Sequence, residues 1–198
     1  MDHTELYRAL DRRLDAIISP ARAAHSRRVA ELAASLCARE GIDAERGMVA
    51  GLAHDMCKEM TTKAQRELAA FYSEGESDHP VSTSLMADKI VHGPAAAALL
   101  ARDYALADEA MLEAVAHHTV GKPGMGGLAT VLYCADKLEP GRERLEDAYR
   151  SGCLKLPLEA MLLAVVEGVI GWMRFQGREI APETLILHQS LVSGAVHR

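Results

Sequence analysis

Apolar residues in this chain recur at three- and four-residue spacing in segment after segment, and none of the chain alternates with period two for long enough to make a confident strand. Leu6, Leu10, Leu14 and Ile17, for example, share one face of a helix over residues 4–18. Stripes of this period must be buried against other helices, so the pattern predicts an all-α helical bundle. Composition agrees. Apolar residues make up 49% of the chain but aromatic ones only 4%, so Ala, Leu, Val and Met supply the core, and most of these favour helix over strand. A length of 198 residues fits a single domain over 1–198, with its core at about 20–178 and flanking terminal helices.

Start and stop signals divide the chain further. Ser19 and Pro20 begin a second helix that runs to about Glu40 and stops at Gly41. Asp43 caps a third, through about Cys57, and Thr61 and Thr62 start a fourth that ends near Tyr72. SEGESDHP reads as a loop, and residues 81–91 as loop or short helix. His92-Gly93-Pro94 opens an alanine-rich helix to Tyr104, and Asp108 caps the next, to about His118. GKPGMGG is a loop. The following helix covers Leu128–Leu138, and Glu139-Pro140-Gly141 stops it. A long apolar helix spans Pro157–Gln176, and Pro182 starts the last. The long helix carries no functional side-chain set, so its expected role is core packing or the face of a homodimer.

A net charge of −6 excludes a general nucleic-acid binder, which would present a basic face. An anionic substrate would need a local cationic patch or a metal. The four cysteines, Cys37, Cys57, Cys134 and Cys153, form no C-x-x-C pair and read as small buried hydrophobes in a reducing compartment. The polar opening MDHTELYRAL has no apolar signal region, and no apolar run reaches membrane-spanning length. A cytoplasmic protein with no membrane partner is expected.

Polar residues on the buried stripes are where chemistry is expected. Val29, Leu32 and Leu36 follow His25 at helical spacing, which puts this imidazole on the core face. Asp136 shares the face of Leu128, Val131, Leu132 and Ala135, and an unpaired carboxylate is very costly there. His54 and Asp55 end the apolar run GMVAGLAHDM. Adjacent side chains on a helix project about 100° apart, so both can approach one point off its surface. A lone histidine on an apolar face is usually a hydrogen-bonded core residue. The order His, His-Asp, Asp on three separate apolar helices is harder to explain by packing. Imidazoles and carboxylates are good ligands for first-row transition metals.

This H…HD…D order resembles the HD superfamily of metal-dependent phosphohydrolases, whose core is helical. HSRRVAELA, AGLAHDMCKE, VHGPAAA, HHTVGKPGM and YCADKLEPGR further resemble the signatures of the YqeK family, the bacterial symmetrical diadenosine tetraphosphate hydrolases. The likeness runs from about His25 to Arg178. It implies an HD-type bundle, a dinucleoside polyphosphate substrate and iron, with one or two ions bound. Manganese and zinc also suit such ligands. It adds His92 and His118 as ligands. One metal would take His25, His54, Asp55 and Asp136, and the other His92, His118 and a bridging Asp55. The family has an aromatic residue before the His-Thr pair. This chain has His117 there, which leaves His117 as the alternative to His118.

An acidic chain must still hold a polyphosphate. Arg28, Lys58, Lys122, Lys137 and Arg142 are the cations near the motifs, and Lys58 and Arg142 are the preferred phosphate contacts. GKPGMGG lacks the spacing of a P-loop and a preceding strand, so it is expected only to shape the entrance of the site. The competing activities are hydrolysis of a nucleotide monophosphate or a guanosine alarmone. An inert nucleotide-binding regulator is the reading from another class.

Overall fold

The computed structural model describes residues 2–75, 87–143 and 145–196. Among these residues the chain forms ten helices and no strand: α1 (His3–Ile17), α2 (Pro20–Arg39), α3 (Ala44–Ala53), α4 (Thr62–Gly75), α5 (His92–Tyr104), α6 (Glu109–His117), α7 (Gly127–Leu138), α8 (Asp147–Leu154), α9 (Leu158–Phe175) and α10 (Pro182–Val196). The all-α expectation therefore holds. Residues 76–86, with most of SEGESDHP and much of the 81–91 segment, lie outside the described residues.

Local signals act where the sequence puts them. The Asp2 carboxylate accepts from the Glu5 amide at 2.7 Å to cap α1, and Asp43 and Asp108 cap α3 and α6 in the same manner. Pro20 occupies the first turn of α2, and Gly41 follows that helix with φ +71°. α8 was not anticipated. Its apolar spacing is short and it buries only Cys153, so it has almost no stripe to read.

α7 is the axis of the fold. Every residue from Leu128 to Asp136 is buried, which explains its near-continuous apolar run. α2, α3, α6 and α9 pack around it. Glycines let the site-bearing helices approach closely. A side chain at Gly51 of α3 would collide with the Ala30 backbone of α2, and one at Gly93 of α5 with the Ala116 carbonyl of α6. Gly51 lies three residues before His54, and Gly93 adjoins His92. The close crossings therefore fall beside the histidines they bring together.

Candidate metal centre

α3 stops earlier than its apolar pattern suggests. The expected helix through Cys57 ends at Ala53, and residues 54–59 form successive turns. The cause is local. The Gly51 carbonyl, which would accept from the Asp55 amide in a continued helix, accepts from His54 Nδ1 at 2.7 Å. Lys58 then closes an i→i+3 turn onto the Asp55 carbonyl at 2.9 Å. α6 ends with the same device, His118 Nδ1 donating to the Val115 carbonyl at 2.8 Å. In both residues the proton is fixed on Nδ1, so the Nε2 lone pair faces inward.

Six side chains from five elements converge. Nε2 of His25 lies 3.2 Å from Asp136 Oδ1, and Nε2 of His54 lies 3.8 Å from the same oxygen. His54 Nε2 is also 3.9 Å from Asp55 Oδ2. Asp55 Oδ1 stands 3.1 Å from His92 Nε2 and 3.5 Å from His118 Nε2. Two triads could each hold an ion, His25 with His54 and Asp136, and His54 with Asp55 and His118, their ligand atoms within 4.8 Å of one another. His54 belongs to both. Its Nε2 is fully buried with no hydrogen-bond partner. A buried polar atom left so is costly unless something else satisfies it, and an imidazole lone pair among carboxylates is a donor set that fits a transition metal. His118, rather than His117, meets Asp55, and His92 is a buried member of the first turn of α5.

The protonation states suit metal binding. Burial lowers the pKa of His54 to about 4, and pushes those of His92 and His118 down as well, so these imidazoles are neutral at pH 7. Burial would raise the Asp55 carboxyl, but the cluster around it, with a hydrogen bond from His92 Nε2 at 3.1 Å, holds it below the usual range. Asp136 is likewise held well below that range, because adjacent Lys137, the His25 hydrogen bond and Arg142 outweigh its burial.

The five candidate phosphate cations separate. Lys58 Nζ sits 2.8 Å from His92 Nε2 and 3.9 Å from Asp55, and Arg142 Nη2 sits 2.5 Å from Asp136. Both border a polar cavity of about 370 Å³ over the cluster. Lys137 is tied to Asp136 at 2.9 Å and to the His118 carbonyl at 2.5 Å. Arg28 binds Glu139 at 2.5 Å instead of facing that cavity. Lys122 is paired with Glu113 at 3.0 Å and does not border this cavity. The GKPGMGG loop is likewise absent from its wall.

Sequence reasoning missed three contributors. Glu139 accepts from His25 Nδ1 at 3.1 Å and is gripped by Arg28, so it orients an imidazole whose other nitrogen faces Asp136. Arg22 donates to Asp55 at 2.7 Å and is held in turn by Glu59 at 3.0 Å. Thr119 Oγ1 lies 3.2 Å from His92 Nε2. Arg22 carried a usable signal, since it precedes His25 by one helical turn. α9 packs on α7 as its apolar pattern implies, and it also lines a second cavity, of about 510 Å³, that adjoins the cluster.

Residues 22–167 match the family model described as HD domain. A Bacillus subtilis protein named symmetrical bis(5'-nucleosyl)-tetraphosphatase is 26% identical over 171 residues, covering 86% of this chain and 89% of that one. A Staphylococcus aureus protein of the same name is 32% identical over 118 residues, 60% of this chain and 58% of its own length. A crystal structure from Clostridium acetobutylicum, described as a predicted HD superfamily hydrolase involved in NAD metabolism, superposes with a TM-score of 0.80 at 26% identity and covers 95% of this chain and 97% of that one.

Proposed function

Because the chain belongs to the HD domain family, we propose that it is a metal-dependent phosphohydrolase that cleaves diadenosine tetraphosphate symmetrically into two ADP. The names of the Bacillus and Staphylococcus relatives support the substrate. The observation that carries the chemistry is the orphaned, buried Nε2 of His54 at the junction of two ligand triads.

In this reading His25, His54, Asp55 and Asp136 would hold one metal, and His92, His118 and Asp55 a second. A bound metal would supply hydroxide at neutral pH by lowering the pKa of water to roughly 7, and would offset charge building on a phosphate oxygen. No protein side chain acts as a covalent nucleophile. The water oxygen bonds to one of the two central phosphorus atoms, and the bond from that phosphorus to the oxygen bridging the central pair breaks. The bridging oxygen departs as a terminal phosphate oxygen of one ADP, and the second ADP keeps the water oxygen. The water protons pass to the leaving oxygen or to solvent. Lys58, Arg142 and Arg22 border the polar cavity and would contact the polyphosphate there. Iron is the proposed metal, and manganese or zinc would be accepted by the same mixed nitrogen and oxygen ligands. We read residues 1–198 as one HD-type domain working in the cytoplasm. The span of the family match and four free, buried cysteines support this. No helix among the described residues is long and apolar enough to cross a membrane.

Product chromatography with a nucleotide panel, run beside metal analysis of the purified protein, tests the proposal. Release of ADP as the sole product from the dinucleotide is expected. Intact dinucleotide with a metal-loaded preparation would exclude it. The description of the Clostridium structure gives a reason to include NAD in the panel, together with nucleotide monophosphates and guanosine alarmones.

A further inference from the structure

The polar cavity over the metal cluster and the second cavity share Thr119, Asp136 and Arg142, so the two are continuous at the cluster. They differ in their walls. The second is closed by Leu145, Tyr149, Val165, Val169, Trp172 and Met173, drawn from the α7–α8 connection, α8 and α9. Tyr149 is anchored by its hydroxyl, which donates to the Ala164 carbonyl at 2.8 Å. It lies so close to α9 that a side chain at Gly168 would collide with the hydroxyl. Trp172 is oriented by Arg178, whose guanidinium lies 4.9 Å from the ring centroid. A volume of about 510 Å³ falls in the roughly 300–1,000 Å³ range of pockets that enclose small organic ligands.

A ligand filling both cavities must have an anionic end for the cluster and a flat apolar end for the aromatic wall. A nucleoside polyphosphate has this form. We propose that the cavity between the end of α7 and the middle of α9 is the slot for one purine base of the substrate, with Trp172 as its stacking partner. The proposal rests on the dinucleotide reading and adds where that substrate's specificity resides. It also gives α9 a function beyond packing.

The chain has a single tryptophan, and it is the one lining the slot, so its fluorescence reports occupancy directly. ADP added to the purified metal-bound protein is expected to quench Trp172, and inorganic pyrophosphate, which lacks a base, is not. Val169→Phe, which fills the slot, and Trp172→Ala, which removes its aromatic wall, should each raise KM for diadenosine tetraphosphate roughly tenfold with kcat unchanged. Trp172→Phe should restore most of that loss. Quenching by ADP without cleavage of the dinucleotide would uphold the slot and sink the substrate reading. Cleavage with Trp172 fluorescence silent to ADP and KM indifferent to both substitutions would sink the slot and leave the substrate reading intact. Failure of ADP to bind at all would overturn the slot.

Discussion

His25, on α2, and His92, on α5, enter the same cluster and are held in different ways. The His25 ring is clamped between carboxylates, with Glu139 on Nδ1 at 3.1 Å and Asp136 on Nε2 at 3.2 Å, and Arg28 fixes Glu139 from behind. Nε2 of His92 instead meets Asp55 at 3.1 Å, His118 Nε2 at 3.1 Å and Thr119 at 3.2 Å, while Lys58 Nζ lies 2.8 Å from Nε2 and 3.2 Å from Nδ1. In both halves Nε2 faces a carboxylate oxygen, but the Glu139 carboxylate accepts from Nδ1 of His25 and so stabilises the tautomer that ligates through Nε2. Nδ1 of His92 has the Lys58 amine in that place, and Lys58, which also crowds Nε2 at 2.8 Å, must turn away before a metal can bind there. The His25 half is therefore the better pre-organised of the two and should hold its metal more tightly.

The largest effect should come from the residue common to both halves. His54→Ala is expected to bring hydrolysis to background and abolish bound metal while helical content measured by circular dichroism stays near native. Wild-type turnover would defeat the ligand assignment. Graded chelation should next remove the ion of the His92 half first, seen as two separate steps in metal content. Simultaneous loss would erase the distinction between the halves. Glu139→Gln should weaken metal affinity or activity by about 10- to 100-fold, whereas a value near wild type would show that the His25 clamp is idle.

A smaller effect is expected from acid on the metal-free protein. His54 titrates at about 4 when folded, below its ordinary value of 6.5. The unfolded chain therefore binds more protons between these values, and stability falls as pH drops through that window, by up to about 1.4 kcal/mol per pH unit for this group. Asp55 and Asp136, with lowered pKa values, act in the same direction below the ordinary carboxylate range. Denaturant melts at pH 7 and pH 5 would test this, and equal midpoints would contradict it. Least of all, Lys122→Ala should change kcat/KM by less than about twofold, because its amine is engaged by Glu113 away from the cluster.

Much of this was legible before folding. Val29, Leu32 and Leu36 placed His25 on a core stripe, and the near-continuous apolar run of α7 made Asp136 conspicuous. α8 was not legible, since one buried residue leaves no periodicity to detect. Nor was the end of α3, because the contact that stops it is a side chain taking the place of a backbone donor. For the cations, proximity in sequence was a poor guide. Lys122 and Arg28 sit beside motifs yet are taken up by Glu113 and Glu139, while Arg22, not anticipated, reaches Asp55.

The sequence by itself determined the helical class and the buried polar residues in need of a partner, because periodicity and the cost of burying charge are properties of single segments. Only the tertiary structure decided which residue of His117 and His118 faces Asp55, which carboxylate supports His25, and that α9 walls a cavity beside the cluster. Those outcomes depend on how closely helices cross at Gly51 and Gly93, a distance no single helix encodes.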